Sequence, residues 1–102
     1  MSLFIAGGDG LGKIKHKMKK IGFDDIIHFP GRKKSVYRNF QLPSEVDFVL
    51  VLTDYINHSL MQKIKDEARS KDVKLLFAKR SWSSIHKKLE EIKQLRLVKN
   101  TN

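Results

Sequence analysis

The sequence predicts an α/β fold in a single three-layer domain, and three observations lead to that prediction. Residues 3–6 and 48–52 are continuous apolar runs without polar alternation, as strands covered on both faces would be. Four strand-like segments alternate along the chain with segments of helical periodicity. A glycine turn, GGDG, leads directly from the first strand into a helical segment, as at the opening of an α/β unit.

The first half of the chain predicts two strands and one helix. The first strand covers residues 3–6, and the second, DIIHF, covers residues 25–29 and ends at a Pro-Gly pair. Between them, a helix runs from about residue 11 to about residue 21, where Gly22 ends it. Its apolar residues recur at spacings of three and four and form one stripe: Leu11, Ile14, Met18 and Ile21.

The second half predicts two strands and two helices. The third strand, FVLVL, covers residues 48–52, and the fourth covers residues 73–77. The second helix begins near residues 57–59, and Ser81 is the expected N-cap of the third. The buried side of the second helix is Leu60, Met61, Ile64 and Ala68, and that of the third is Ile85, Leu89, Ile92 and Leu95. The domain spans residues 1–102, and we expect residues 99–102 to be a frayed tail.

A parallel sheet of order 2-1-3-4, which is flavodoxin-like or Rossmann-like, suits four strands joined by right-handed crossovers. The first and second helices then cover opposite faces, and the third helix lies beside the first. The loops that follow the strands meet at one side of the sheet, which we call the loop edge. It contains residues 7–10, 28–34, 53–59 and 78–81. The switch point between strands 1 and 3 is lined by Gly7, Gly8, Asp9, Thr53 and Asp54.

The charge of the chain is large and uneven. The formal net charge is +10, an excess that favours contact with a polyanion. Residues 10–38 carry nine Lys or Arg and two acids, and residues 79–99 carry seven and two. Because the first and third helices share a face in the predicted fold, we expect a one-sided basic surface that extends to the loop edge.

We predict a non-catalytic nucleic-acid-binding domain that takes RNA or single-stranded DNA rather than a duplex read by sequence. Phosphate contacts are assigned to Lys13, Lys17, Lys20, Arg32, Lys33, Lys34, Lys79 and Arg80. Base stacking is assigned to Tyr37 and Tyr55, while Phe40 and Trp82 fit either stacking or the core. A homodimer would strengthen such binding by doubling the number of contacts.

The glycine turn supports an alternative function. Residues 7–13, GGDGLGK, have the spacing of a phosphate-binding loop, although Ile14 stands where Ser or Thr would hold magnesium. A turn that only needs positive φ and close packing explains the same glycines. The alternative is a module that binds a nucleotide or a phosphorylated small ligand at the switch point. Its residues would be Gly7, Gly8, Asp9, Gly10, Thr53, Asp54, His58 and Ser81.

Two histidines and two carboxylates also fall on the predicted loop edge. Asp9, His28, Asp54 and His58 have the chemistry of a metal-dependent phosphoesterase. Ordinary structural roles account for them equally well, because Asp54 can cap the loop before the second helix and His28 can bond the backbone. We assign no catalytic residue, no metal site and no cofactor.

The composition also bears on location. The chain has no cysteine, so disulfides and thiolate metal sites are excluded. No apolar run reaches membrane-spanning length, and no basic region precedes the first apolar run. We expect a cytoplasmic protein of bacterial type with no membrane partner.

The motifs at the loop edge resemble those of a small bacterial family catalogued only as a domain of unknown function. That family has Gly-Gly after strand 1, His-His-Asp-Gly after strand 2, T-D-x-x-x-H after strand 3 and a serine-rich turn before the last helix. The resemblance covers about residues 3–90 and implies the flavodoxin-like or Rossmann-like fold. Phe29 and Pro30 depart from its His-Asp pair. The matching positions are Gly7, Gly8, His28, Gly31, Arg32, Thr53, Asp54, His58 and Ser84.

Overall fold

In the part of the chain that the structure describes, four parallel strands form one sheet in the order second, first, third and fourth, and three helices flank it. The structure is a computed structural model that describes residues 2–8, 10–30 and 40–100, with side chains up to residue 95. The strands are β1 (Ser2–Ala6), β2 (Asp25–Phe29), β3 (Phe48–Leu52) and β4 (Lys74–Ala78). The helices are α1 (Lys13–Lys20), α2 (His58–Ser70) and α3 (Trp82–Asn100). The predicted α/β class and strand order are confirmed.

The two central strands are buried along their whole length, which explains their lack of polar alternation. β1 pairs with β3 so that Leu3 lies beside Phe48 and Ile5 beside Leu50. These four side chains pack on one face with Met18 of α1 and with the buried stripe of α3, Ile85, Leu89 and Ile92. The placement of the first and third helices on one face is therefore confirmed.

The opposite face carries α2 and the chain segment that precedes β3. Phe4 and Val49 pack there with Leu60 and Ile64 of α2. Phe40, Leu42 and Val46 complete this layer. The backbone of Leu42 is fastened to α2, because its N–H donates to Glu67 Oε2 at 2.8 Å and its carbonyl accepts from Lys71 Nζ. These bonds hold an irregular segment flat against the helix.

α1 is shorter than the sequence predicts. It begins at Lys13 because Gly12, at φ 51°, is its N-cap, and it ends at a C-cap formed by Ile21. Gly22, at φ 101°, closes the helix as predicted, with its N–H donating to Lys19 O at 3.1 Å. Phe23 N–H then donates to Met18 O at 3.0 Å, which brings two buried side chains together below the helix.

The predicted start of the second helix near residues 57–59 is confirmed, whereas β4 and α3 differ from the prediction. β4 begins one residue later than predicted because Val73 N–H donates to Ala68 O and so completes the end of α2. Leu95, predicted to belong to the buried stripe of α3, is 38% exposed, so the buried stripe ends at Ile92 among the residues whose side chains are described. α3 continues to Asn100, and the frayed tail over 99–102 stays a prediction. Among the residues that the structure describes, none of the helices has the length and apolar character to cross a membrane.

Candidate nucleic-acid interface

The most concentrated charge in the described structure lies on α1. This helix carries five lysines and no acidic residue, and Met18 is its one buried residue. Because the apolar stripe is narrow, every lysine of the helix is exposed to solvent. We call this surface the α1 basic face, which consists of Lys13, Lys15, Lys17, Lys19 and Lys20.

The sequence prediction assigned Lys13, Lys17 and Lys20 of this helix to phosphate contacts. All five lysines are equally outside the apolar stripe of the helix, and all five are exposed. Any lysine of this helix that lies off the stripe faces solvent.

Lys17 joins the α1 basic face to the start of α3. Its Nζ lies 5.7 Å from the ring centroid of Trp82, within reach of a cation–π contact. Trp82 is half-buried and packs against the core beneath α1 and α3, and its ring lies 5.3 Å from that of His86. Of the two roles left open for Trp82, packing in the core is thus the one that the structure shows.

α3 contributes less free positive charge than its composition suggests. Glu90 pairs with His86 at 3.4 Å and with Lys93 at 3.9 Å, and Glu91 pairs with Lys88 at 3.3 Å. Within the described residues, no acid pairs with the lysines of the α1 basic face. The predicted basic surface is therefore centred on α1 rather than shared evenly between the two helices.

Arg80 connects the loop after β4 to the glycine turn after β1. Its backbone N–H donates to Asp54 Oδ1 at 2.8 Å, and its Nε donates to Gly10 O at 3.2 Å. The Nη2 of the same guanidinium also donates to Gly10 O. Gly10 leads into α1, so Arg80 holds a positive charge beside the N-terminal end of the α1 basic face. Lys79, next to it, is exposed.

Backbone amides that line the switch point between β1 and β3 are hydrogen-bonded within the fold. Gly7 N–H donates to Phe29 O at 2.9 Å, and Gly8 N–H donates to Tyr55 O at 2.7 Å. A Cβ at Gly7 would lie 2.9 Å from Leu52 O, closer than real Cβ atoms approach. These two amides are used within the fold, which is the geometry of a turn built for close packing. Thr53 is likewise engaged, through N–H donation to Ala78 O at 2.9 Å.

His28 and Asp54 both have structural partners. His28 Nε2 donates to Gly7 O at 2.8 Å, which is the backbone role considered for it from sequence. Asp54 caps the loop before α3 rather than the loop before α2, where the prediction placed it. The N-cap of α2 is Asn57, whose Oδ1 accepts from Ser59 N–H at 2.8 Å. His58 is exposed in the first turn of that helix.

No three metal-binding side chains of His, Asp or Glu gather anywhere in the parts of the chain that the structure describes. Ser81 is the predicted cap of α3, and its Oγ accepts from Ser84 N–H at 3.3 Å. Five residues assigned to the site lie outside the described residues: Asp9, Arg32, Lys33, Lys34 and Tyr37.

Tyr55 and Phe40, two described aromatic residues considered for base stacking, differ in their exposure. Tyr55 is 51% exposed, and its backbone lies against Gly8. Phe40 is buried, with its ring 5.6 Å from that of Phe4 and 5.2 Å from that of Phe29. Of these two residues, Tyr55 is thus the one whose side chain is exposed to solvent.

The chain belongs to a family of uncharacterized proteins conserved in bacteria (DUF2325), whose family model matches residues 2–92. This match confirms the resemblance noted from the loop-edge motifs. No curated protein matches the chain, and no solved structure does either.

Proposed function

We propose that this member of the DUF2325 family binds nucleic acid through the α1 basic face and that the ligand is RNA or single-stranded DNA. The observation that carries the proposal is one short helix with five exposed lysines and no acid. Lys13, Lys17 and Lys20 recur at i, i+4 and i+7 and so form one row of positive charge along α1, which is the electrostatic pattern that a phosphate backbone requires.

The α1 basic face lies next to the loop edge. Lys13 begins α1, Gly10 precedes it, and the guanidinium of Arg80 is bound to Gly10 O. Gly8, two residues earlier, is bonded to the backbone of the exposed Tyr55. A single strand along this path would place phosphates on the lysines and on Arg80 and a base on the Tyr55 ring.

A flexible single strand suits this surface better than a duplex. The basic helix is about 12 Å long, and its inner side is packed against the sheet. The helix is therefore anchored along its length rather than projecting as a recognition helix would into the major groove. We therefore expect backbone contacts and base stacking, with little direct reading of sequence.

A small phosphorylated ligand at the switch point has less support. Such a ligand would need the N–H groups of Gly7 and Gly8. In the structure these groups donate to Phe29 O and Tyr55 O. A ligand there would have to displace hydrogen bonds that hold the first loop to its neighbours on both sides.

The decisive experiment is fluorescence anisotropy with labelled single-stranded RNA, single-stranded DNA and duplex DNA over a range of salt concentrations. Four or five phosphate contacts on a single strand predict a log–log salt slope of about −3. An excess of free nucleotide should leave this binding unchanged. Absence of binding at about 50 mM salt would contradict the proposal. Competition by stoichiometric nucleotide would point instead to the small-ligand alternative.

Two further expectations belong to the same proposal. We propose that the protein works in the bacterial cytoplasm, where RNA and single-stranded DNA are present. Pairing of two domains would double the footprint and raise the apparent affinity by avidity. Light scattering with and without RNA measures whether a dimer forms.

A further inference from the structure

The outer edge of β4 is a second surface that could bind a ligand, and it lies away from α1. β4 is the last strand in the sheet order, and its ladder with β3 fixes which backbone groups point outward. Ala78 O accepts from Thr53 N–H at 2.9 Å, so alternate residues of the strand face β3. The N–H and C=O groups of Leu75 and Phe77 therefore point away from the sheet, where a further strand would pair.

A groove runs beside this edge because α2 does not fully cover β4. Its volume is about 420 Å³, and its floor is apolar. Phe77 is 37% exposed although it lies within a strand, and Leu75 is half-buried beside it. The groove is lined by Lys65, Ala68, Arg69, Val73, Leu75 and Phe77.

The rim of the groove is basic. Lys65 Nζ lies 5.5 Å from the ring centroid of Phe77, and Arg69 is exposed one helical turn further along α2. The nearby acids of this helix are engaged elsewhere, since Asp66 accepts from Gln62 and Glu67 accepts from Leu42 N–H. The rim cations are thus available to a carboxylate ligand.

We propose that this edge binds an extended acidic segment of a partner protein, which adds to the sheet as a fifth strand. Its backbone would pair with Leu75 and Phe77, alternate apolar side chains would fill the groove, and its carboxylates would meet Lys65 and Arg69. An edge strand with unpaired backbone groups beside an apolar groove is the arrangement that strand addition uses. This inference does not rest on the proposed nucleic-acid function.

Charge decides between a foreign acidic segment and a second copy of this chain. Two copies joined at β4 would each bring a net charge of +10 to the contact. They would also bring Lys65 and Arg69 of one chain towards the same pair of the other. The sequence of the edge, VKLLFAK, contains two lysines and no acid, so it does not complement its own rim.

The test uses the full chain and a labelled eight-residue peptide that alternates valine and glutamate. The matched control peptide carries lysine in place of glutamate. Anisotropy should show saturable binding of the acidic peptide and none of the basic one. The double variant Lys65→Glu with Arg69→Glu should lose at least about tenfold in affinity for the acidic peptide. The charge-matched variant Lys15→Glu with Lys19→Glu, on the other face of the sheet, should retain it.

Hydrogen exchange gives a readout that needs no variant. The acidic peptide should slow exchange at the outward amides of Leu75 and Phe77, which the β3–β4 ladder leaves unpaired. Equal binding of both peptides, or equal loss in the two double variants, would overturn the proposal. So would concentration-dependent dimerisation that the Phe77→Glu variant abolishes, since that result would assign the edge to a second copy.

Discussion

The ammonium of Lys17 lies 5.7 Å from the centre of the Trp82 indole, across the contact between α1 and α3. Trp82 is the single tryptophan of the chain and the first residue of α3. Its ring is held between a lysine of the α1 basic face and the imidazole of His86, 5.3 Å away. The protein therefore carries a built-in fluorescent reporter at the surface that we propose for nucleic acid.

Binding of RNA should change the emission of Trp82. A phosphate that engages Lys17 would move the cation off the indole or alter the field across the ring. We expect a saturable change in tryptophan fluorescence on titration with unlabelled RNA, with a midpoint that matches the anisotropy midpoint. The Lys17→Met variant should show altered emission before any ligand is added. An RNA complex that leaves Trp82 emission unchanged would place the ligand away from α1.

Gly7 and Gly10 should respond very differently to substitution by alanine. At Gly7 the φ of 103° and the 2.9 Å approach of Leu52 O both exclude a Cβ. Gly7→Ala should lower the free energy of unfolding by about 2 to 3 kcal/mol. At Gly10 no described atom lies within 4 Å of an added Cβ, so Gly10→Ala should change the free energy of unfolding by less than about 1 kcal/mol. Urea denaturation of the two variants measures the difference, and equal losses would contradict this account of the turn.

Glu67 should make stability depend on pH. The hydrogen bond from Leu42 N–H, with help from Lys71, lowers the pKa of Glu67 below its ordinary value of 4.5. Folding thus favours the charged carboxylate. Its contribution to the free energy of unfolding is present above pH 4.5 and is lost as the pH falls through the lower pKa of the folded state. Glu67→Gln should lower the free energy of unfolding by about 1 kcal/mol at neutral pH, because it removes the charge of this hydrogen-bonded group. Partial exposure of the carboxylate to solvent keeps the loss small.

The control for this prediction is Asp66→Asn, one residue away on the exposed side of α2, where the carboxylate accepts only from Gln62. Urea midpoints should fall more steeply with acid for the wild type than for Glu67→Gln. Parallel curves for these two proteins would show that Glu67 does not carry the effect. A loss in Asp66→Asn as large as that in Glu67→Gln would indicate a general charge effect of the helix.

Local pattern was sufficient to predict the sheet. β2 and β3 begin and end at the predicted residues, because apolar runs bounded by turn residues specify both ends. The error at β4 has a specific cause. Val73 reads as a strand residue, but its N–H is needed to close α2 after Asp72, which adopts a φ of 55°. A residue with a strand-like side chain can instead use its backbone N–H to cap the preceding helix. The sequence pattern does not show which of the two elements will include it.

The site was less predictable because its contacts join residues far apart in sequence. Arg80 bonds to Gly10, 70 positions away, through a side chain that sequence analysis read as a free phosphate ligand. The sequence left open whether the amides of Gly7 and Gly8 bind an anion or belong to a close-packed turn, and in the structure they donate to Phe29 O and Tyr55 O. Such partners depend on how the loops meet at the sheet edge. The exposed lysines of α1, by contrast, follow directly from helical periodicity.

The most direct test of the central claim compares two double charge reversals that change the net charge equally. Lys17→Glu with Lys20→Glu alters the α1 basic face, and Lys65→Glu with Arg69→Glu alters α2 on the opposite side of the sheet. Anisotropy with labelled single-stranded RNA, at one salt concentration, measures both variants against the wild type. We predict a loss of at least about thirtyfold for the α1 pair and less than about threefold for the α2 pair. Equal losses in the two variants would show that net charge alone attracts RNA and would contradict a binding face on α1.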